Sequence, residues 1–239
     1  EAHRSATCVI LLARDLSGGG DKERRPVALK LMWQRDSFSR EVGLRVKYRL
    51  NTQYVLAVLR VHIDLDAQAE LGQLESELGN GLEVWCDKAF GQLGAHSKIG
   101  EEAFRYCVVM ERAETSLASA LTHERFAGSD WQLVRKIGSD LLNALAHLHE
   151  RKLVHCDLKP LNIMRVGETW HLIDLDVACV AGEPFGSKPP SSGYCPPEMA
   201  RTLTDAGYGW RRTVANNREG SHTPPDPRKL GAYHANVAY

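Results

Sequence analysis

The 239-residue chain is 43% hydrophobic and 25% charged, enough for one large domain or two small lobes around a core. Thirty Lys and Arg residues balance thirty Asp and Glu, and this neutrality argues against nucleic acid or an acidic membrane as the main partner. The six cysteines are scattered with no C-x-x-C pair, which excludes a disulfide framework and a structural zinc site and fits a reducing compartment.

No apolar run approaches the length of a membrane span and no charged-then-apolar leader opens the chain, so the expected location is the cytoplasm. Residues 8–14 and 26–32 read as two strands of a hairpin joined by a glycine-rich polar loop. From Ser37 to Leu50 the spacing of Phe38, Val42 and Val46 predicts a helix, and Val55–Val61 is strand-like again. The Gly- and Glu-rich stretch 66–102 reads as a surface insertion with a short helix around Leu71, Leu74 and Leu78. Phe104–Met110 is the next strand, and Glu111–Ser116 a polar connector.

Ser129, with Gln132 three residues on, has the spacing of a capping box for the clearest helix of the chain. Trp131, Val134, Leu141, Leu145 and Leu148 form its expected core stripe. Leu153-Val154, Ile163-Met164 and Trp170–Ile173 are short strands, and residues 201–235, rich in Pro, Gly and Arg, show no periodicity. A strand-rich first part and a helix-led second part suit two lobes with a ligand cleft between them.

Phosphoryl transfer from a nucleotide needs a cation on the phosphates, carboxylate and amide oxygens on a metal, and a carboxylate to receive the acceptor proton. Taken singly, Lys30 reads as an edge lysine, Glu41 as a surface charge, and Asp174 with Asp176 as a turn. The ordered set is what points to chemistry. His155-Cys156-Asp157-Leu158-Lys159-Pro160-Leu161-Asn162 resembles the catalytic loop of the eukaryotic-type protein kinase family, and Val27-Ala28-Leu29-Lys30 its strand-borne lysine motif. Asp174-Leu175-Asp176 stands where the family has D-F-G, and Pro196-Pro197-Glu198 where it has A-P-E.

The resemblance covers residues 8–199 and implies an α+β, two-lobed protein kinase-like fold with a β-rich N-lobe over 1–112. A partial helical C-lobe follows over 113–239, truncated before its large central helix. It implies ATP and Mg2+ as cofactors and a protein substrate bearing Ser or Thr hydroxyls. Asp157 would be the catalytic base and Lys159 would stabilise the transferring phosphoryl group. Lys30 would meet the phosphates, Glu41 would pair with Lys30, and Asn162 and Asp174 would bind magnesium. Met110 would stand at the back of the adenine pocket, with the backbones of Glu111 and Ala113 meeting the base. Ser191, Tyr194 and Glu198 would belong to the activation segment and substrate docking.

Three departures from the family pattern carry expectations of their own. His3, Ser5 and Cys8 occupy the places of its glycine-rich loop, which implies weaker enclosure of phosphate. Cys156 replaces an arginine that pairs with a phosphorylated activation segment, and Asp176 replaces a glycine and offers a second carboxylate near the metal. Two rival functions follow: a pseudokinase that binds nucleotide or a partner without turnover, and a small-molecule kinase of the aminoglycoside or choline type.

Overall fold

The computed structural model describes residues 3–4, 8–16, 25–64, 84–86, 104–183 and 194. Its first part is a six-stranded sheet in the order β1-β2-β3-β6-β4-β5, built from β1 (His3–Arg4), β2 (Cys8–Arg14), β3 (Pro26–Met32), β4 (Val58–Ile63), β5 (Val84–Cys86) and β6 (Tyr106–Glu111). The expected hairpin is present, with β2 and β3 antiparallel from Cys8 opposite Met32 to Arg14 opposite Pro26. Pro26 opens its strand, a position where the missing N–H costs no ladder bond.

The period of two along β3 sorts its side chains onto two faces. Val27 and Leu31 join Val9, Phe104, Cys107 and Val109 in one apolar cluster. On the other face Met32 joins Phe38, Val42, Tyr106 and Val108. Lys30 shares the face of Met32, so it points toward helix α1 (Arg35–Lys47), from which Phe38 and Val42 come. The buried residues of α1 are Ser37, Phe38, Glu41 and Val42, a single stripe at helical spacing with one carboxylate set inside it. Phe38 stacks on Tyr106 with centroids 4.7 Å apart, fixing the helix to the sheet.

The second part is led by helices α2 (Leu117–His123) and α3 (Trp131–Glu150). Its strands are β7 (Thr115–Ser116), β8 (Leu153–Val154), β9 (Ile163–Val166), β10 (Thr169–Leu172) and β11 (Cys179–Val180). Ile137, Ala144 and Leu148 of α3 pack with Leu153, Ile163, Trp170 and Leu172 into a separate core. The chain after α1 is fastened to this second core by backbone bonds. Leu56 N–H donates to the Leu172 carbonyl at 3.0 Å, and Leu172 N–H to Tyr54 at 2.8 Å.

Several expectations need correction. The α3 cap is Asp130, whose carboxylate accepts from Leu133 N–H at 2.9 Å, whereas Ser129 Oγ turns back to the carbonyls of Arg125 and Phe126. Trp131 is 68% exposed because the first turn of α3 extends past the core; Ile137, Ala144 and His147 take the buried places instead. Val55 makes only an isolated bridge to Leu172, and the strand begins at Val58, with a register shift between Val58 and Arg60. The connector after Glu111 contains β7, paired with β9, and α2 follows it. The helix expected around Leu71–Leu78 and the stretch 201–235 lie outside the described residues, while Val84–Cys86 pairs in parallel with β4.

Among the described residues no helix is long and apolar enough to cross a membrane.

Candidate active site

Leu153-Val154 ends as a strand, and Cys156 then takes a left-handed backbone (φ 63°) that reverses the chain and delivers Asp157 to the interior. Pro160 opens a single 3-10 turn ending at Asn162, suited by its fixed φ and missing N–H. This short path brings Asn162 back onto Asp157: its Nδ2 donates to the Asp157 carbonyl at 2.8 Å and to Oδ2 at 3.1 Å. Lys159 Nζ also donates to Asp157 Oδ2, at 2.6 Å. The three side chains that the loop was expected to present are thus gathered on one carboxylate.

A second cluster is assembled from distant parts of the chain. Lys30 Nζ donates to Glu41 Oε2 at 3.0 Å and also to Asp174 Oδ1. Lys30 and Glu41 are nearly sealed from solvent, with side-chain exposures of 5% and 0%, and Asp174 keeps 20%. Burial alone lowers a lysine pKa, but the carboxylates of Asp174, Glu41 and Asp176 outweigh it and hold Lys30 well above its ordinary value. Burial likewise pushes Glu41 up, and Arg45, then Lys30, outweigh it and hold the carboxyl below its ordinary range. Asp174 adopts a left-handed backbone (φ 65°), a conformation a short acidic side chain tolerates better than most.

His155 joins the two clusters. Its Nε2 lies 2.9 Å from the Ile173 carbonyl and its Nδ1 accepts from Asp157 N–H at 3.3 Å, so a neutral ring protonated on Nε2 satisfies both bonds. Burial pulls its pKa below the ordinary value, against the raising influence of the Ile173 carbonyl. On α3, His147 Nε2 accepts from Asn51 N–H at 2.9 Å, and burial lowers its pKa as well.

The sign of the pH dependence follows. Above the ordinary histidine value of 6.5, folded and unfolded chains are both neutral at these sites, and the stability is fully present. As pH falls below it, the unfolded chain takes up protons first, and stability is lost toward the lower folded-state values. Thermal melts between pH 7.5 and about pH 5 are expected to show a falling midpoint. His147→Gln, which can still accept from Asn51, should remove part of that slope.

Met110 is buried on β6 in the cluster that faces α1, opposite Ala28. Glu111 closes the strand, spending its N–H on the Ala57 carbonyl at 3.1 Å and its carboxylate on Arg25 at 3.3 Å, and Ala113 follows in the crossing to β7. Of the three residues expected in the activation segment, Tyr194 is 61% exposed, while Ser191 and Glu198 lie outside the described residues. Side chains of His3 and Ser5 also lie outside them, whereas Cys8 is buried in the core with Met32 and Phe38.

Three contacts go beyond what was read from the sequence. Arg45 forms an ion pair with Glu41 Oε1 at 2.8 Å, a pairing signalled by the four-residue spacing on one helix. Asp176, expected only as a possible further metal carboxylate, is 4% exposed and adds to the field on Lys30. The Sγ atoms of Cys156 and Cys179 lie 3.3 Å apart, brought together because β8 and β11 pair with Cys179 opposite Val154.

Comparison with known proteins finds similarity over the part of the chain that carries Asp157, Asn162 and Asp174. Residues 95–210 match the protein kinase domain model. Serine/threonine-protein kinase AFC2 of Arabidopsis thaliana is 35% identical over 89 residues, covering 33% of this chain and 21% of that protein. Human dual specificity tyrosine-phosphorylation-regulated kinase 3 is 40% identical over 58 residues, covering 24% of this chain and 10% of the relative. The rat serine/threonine-protein kinase Kist is 30% identical over 105 residues, covering 42% of this chain and 25% of the relative. The chain therefore spans a quarter or less of the length of these curated relatives.

Proposed function

We propose, with residues 95–210 belonging to the eukaryotic-type protein kinase domain family as the premise, that the protein transfers the ATP γ-phosphoryl group to Ser or Thr hydroxyls of protein substrates. The observation that carries this reading is Lys30 bridging Glu41 on α1 and Asp174 after β10. That bridge sets a buried cation of the sheet beside the acidic loop of the second part, at the cleft where a nucleotide's phosphates are to be held.

The donor set fits a hard divalent cation such as Mg2+. Asp174 supplies a carboxylate and Asn162 an amide oxygen, from segments tied by the Ile173 N–H to Asn162 carbonyl bond of 3.0 Å. Among the described residues no cluster of three or more His, Cys, Asp or Glu residues is built to hold a metal, and Mg2+ needs none, since phosphates and water complete its shell. When bound, the cation neutralises charge developing on the phosphates.

The chain's own residues do the rest. Lys30 binds phosphate oxygens, and Glu41 keeps its ammonium aimed. Asp157 orients the acceptor hydroxyl and takes its proton, while Lys159, already on Asp157, offsets negative charge on the transferring group. Met110, Glu111 and Ala113 border the adenine side. Ser191, Tyr194 and Glu198 are assigned to substrate docking on their sequence order.

The substitutions at His3 and Ser5 favour one second reading, in which the domain binds nucleotide or a partner without transfer. A screen with γ-labelled ATP separates these readings. Label on Ser- and Thr-containing peptides is expected; binding of Mg-ATP with no transfer to any acceptor would support the second reading. Label on small alcohols alone would overturn both in favour of a small-molecule kinase.

A further inference from the structure

Arg45 lies one turn beyond Glu41 on α1, and its side chain is only 9% exposed. Its Nη1 donates a hydrogen bond to the Glu41 backbone carbonyl at 2.6 Å and lies 2.8 Å from Glu41 Oε1 as an ion pair, an oxygen that has no hydrogen-bond partner of its own. Nε and Nη2 are buried with no hydrogen-bond partner. Arg45 also lines a cavity of about 270 Å³ whose wall includes Val42, Val46, Leu56 and Val58. An arginine at the surface normally extends its head group to water. Here the head group stays in a wall made mostly of aliphatic side chains, with Arg49 and Thr52 also lining the cavity, and two of its N–H groups are unsatisfied, a costly arrangement that a leucine or methionine would avoid. Among the described residues, Glu41 is the ionic partner that holds it there.

The Glu41 carboxylate is thereby divided between two cations, Oε1 for Arg45 and Oε2 for Lys30. A carboxylate held on one oxygen by a side chain anchored to its own helix cannot rotate freely about its terminal bond. We infer that Arg45 is a positioning residue, which locks the Glu41 carboxylate so that Oε2 alone is presented to Lys30. When the Lys30 ammonium leaves Asp174 for a phosphate oxygen, Glu41 then stays in place. The inference rests on the nucleotide reading above for its consequence, but the lock itself is a property of the folded chain.

The test uses the whole chain with Arg45→Met, Arg45→Lys and Glu41→Gln, and with Arg45→Met combined with Glu41→Gln. In the parent background, Arg45→Met is expected to raise KM for Mg-ATP about ten-fold, within the coupling range of residues that share one ion-pair network. Arg45→Lys, which keeps a cation in reach, restores KM to within about three-fold of the parent. In the Glu41→Gln background Arg45→Met has no further effect. An equal penalty in both backgrounds, or none in the parent, overturns the inference.

A second readout needs no turnover. Acetylation of Lys30 by an amine-reactive ester, followed by peptide mass spectrometry with Lys136 as internal control, should increase in Arg45→Met while Lys136 stays constant. Glu41→Gln should abolish that difference. If the parent neither binds nor hydrolyses ATP, the functional reading fails, and the labelling decides the lock by itself. Unchanged or reduced Lys30 labelling in Arg45→Met would then overturn it. Folding is checked by denaturant midpoint, with Arg45→Lys as the variant least disturbed.

Discussion

Substituting Asn for Asp157 is expected to cut kcat by about 10²–10⁴-fold, the usual contribution of a positioned general base. Asparagine keeps the size of the side chain and one carbonyl oxygen, but it cannot take a proton. The neighbours make the loss specific. Lys159 and Asn162 both donate to Oδ2, so the substitution also removes the negative charge on which these two donors converge. Nucleotide affinity should change by less than about three-fold, since Asp157 is assigned no contact with ATP. Steady-state kinetics beside equilibrium titration would check the split, and turnover retained within ten-fold would remove Asp157 from the role.

Lys30→Met should damage both fold and function. Methionine matches the length of the stem but leaves Glu41 and Asp174 without the cation that joins them. Breaking a buried ion pair on one side costs about 3–5 kcal/mol, and the lower end applies here because Glu41 keeps Arg45 and Asp174 is partly solvated. For a domain of this size that is about 6–12 °C in melting temperature. Transfer should fall about 10²–10³-fold, as for removal of one donor aimed at developing charge. Adding Asp174→Asn to Lys30→Met should recover part of the stability and none of the transfer. Additive stability losses in the double variant would show that the bridge is not the unit described.

The grouping of Asp157, Lys159 and Asn162 was legible in the sequence because its members are local. Asp157, Lys159 and Asn162 lie within six residues, and one reversal at Cys156 and one 3-10 turn suffice to join them. Lys30 and Glu41 came from the family pattern, and the alternation along β3 with the stripe of α1 explains why they face each other. What escaped depends on packing between distant segments. Arg45 looks like one more charge on a helix until Val42, Val46 and Leu56 are seen around it. Trp131 fits the helical period of α3, but its turn projects beyond the core that the period serves. The parallel pairing of β4 with β5 joins segments more than twenty residues apart, and Val84–Cys86 lies inside a stretch that reads as a surface insertion. The capping error was one of chemistry at adjacent positions: Ser129 and Asp130 both cap well, and the choice falls to the residue whose oxygen reaches Leu133 N–H.

The bonds that fasten residues 54–56 to Leu172 make the two ends of α1 mechanically unequal. Leu172 stands two residues before Asp174, and the far end of α1 is also held by Arg151 Nε on the Tyr48 carbonyl at 3.0 Å. The C-terminal end of the helix is therefore tied to the strand that leads to Asp174, while Phe38 in its N-terminal half stacks on Tyr106 of the sheet. Glu41 lies six residues, roughly 9 Å of helix rise, from the end of α1 at Lys47. Over that arm, displacing the carboxylate by the 3.0 Å of its bond to Lys30 takes a tilt of roughly 20°. On the function proposed above, such a tilt would make or break the Lys30–Glu41 contact while the Asn162–Asp157 bonds, which lie within one local loop, are kept.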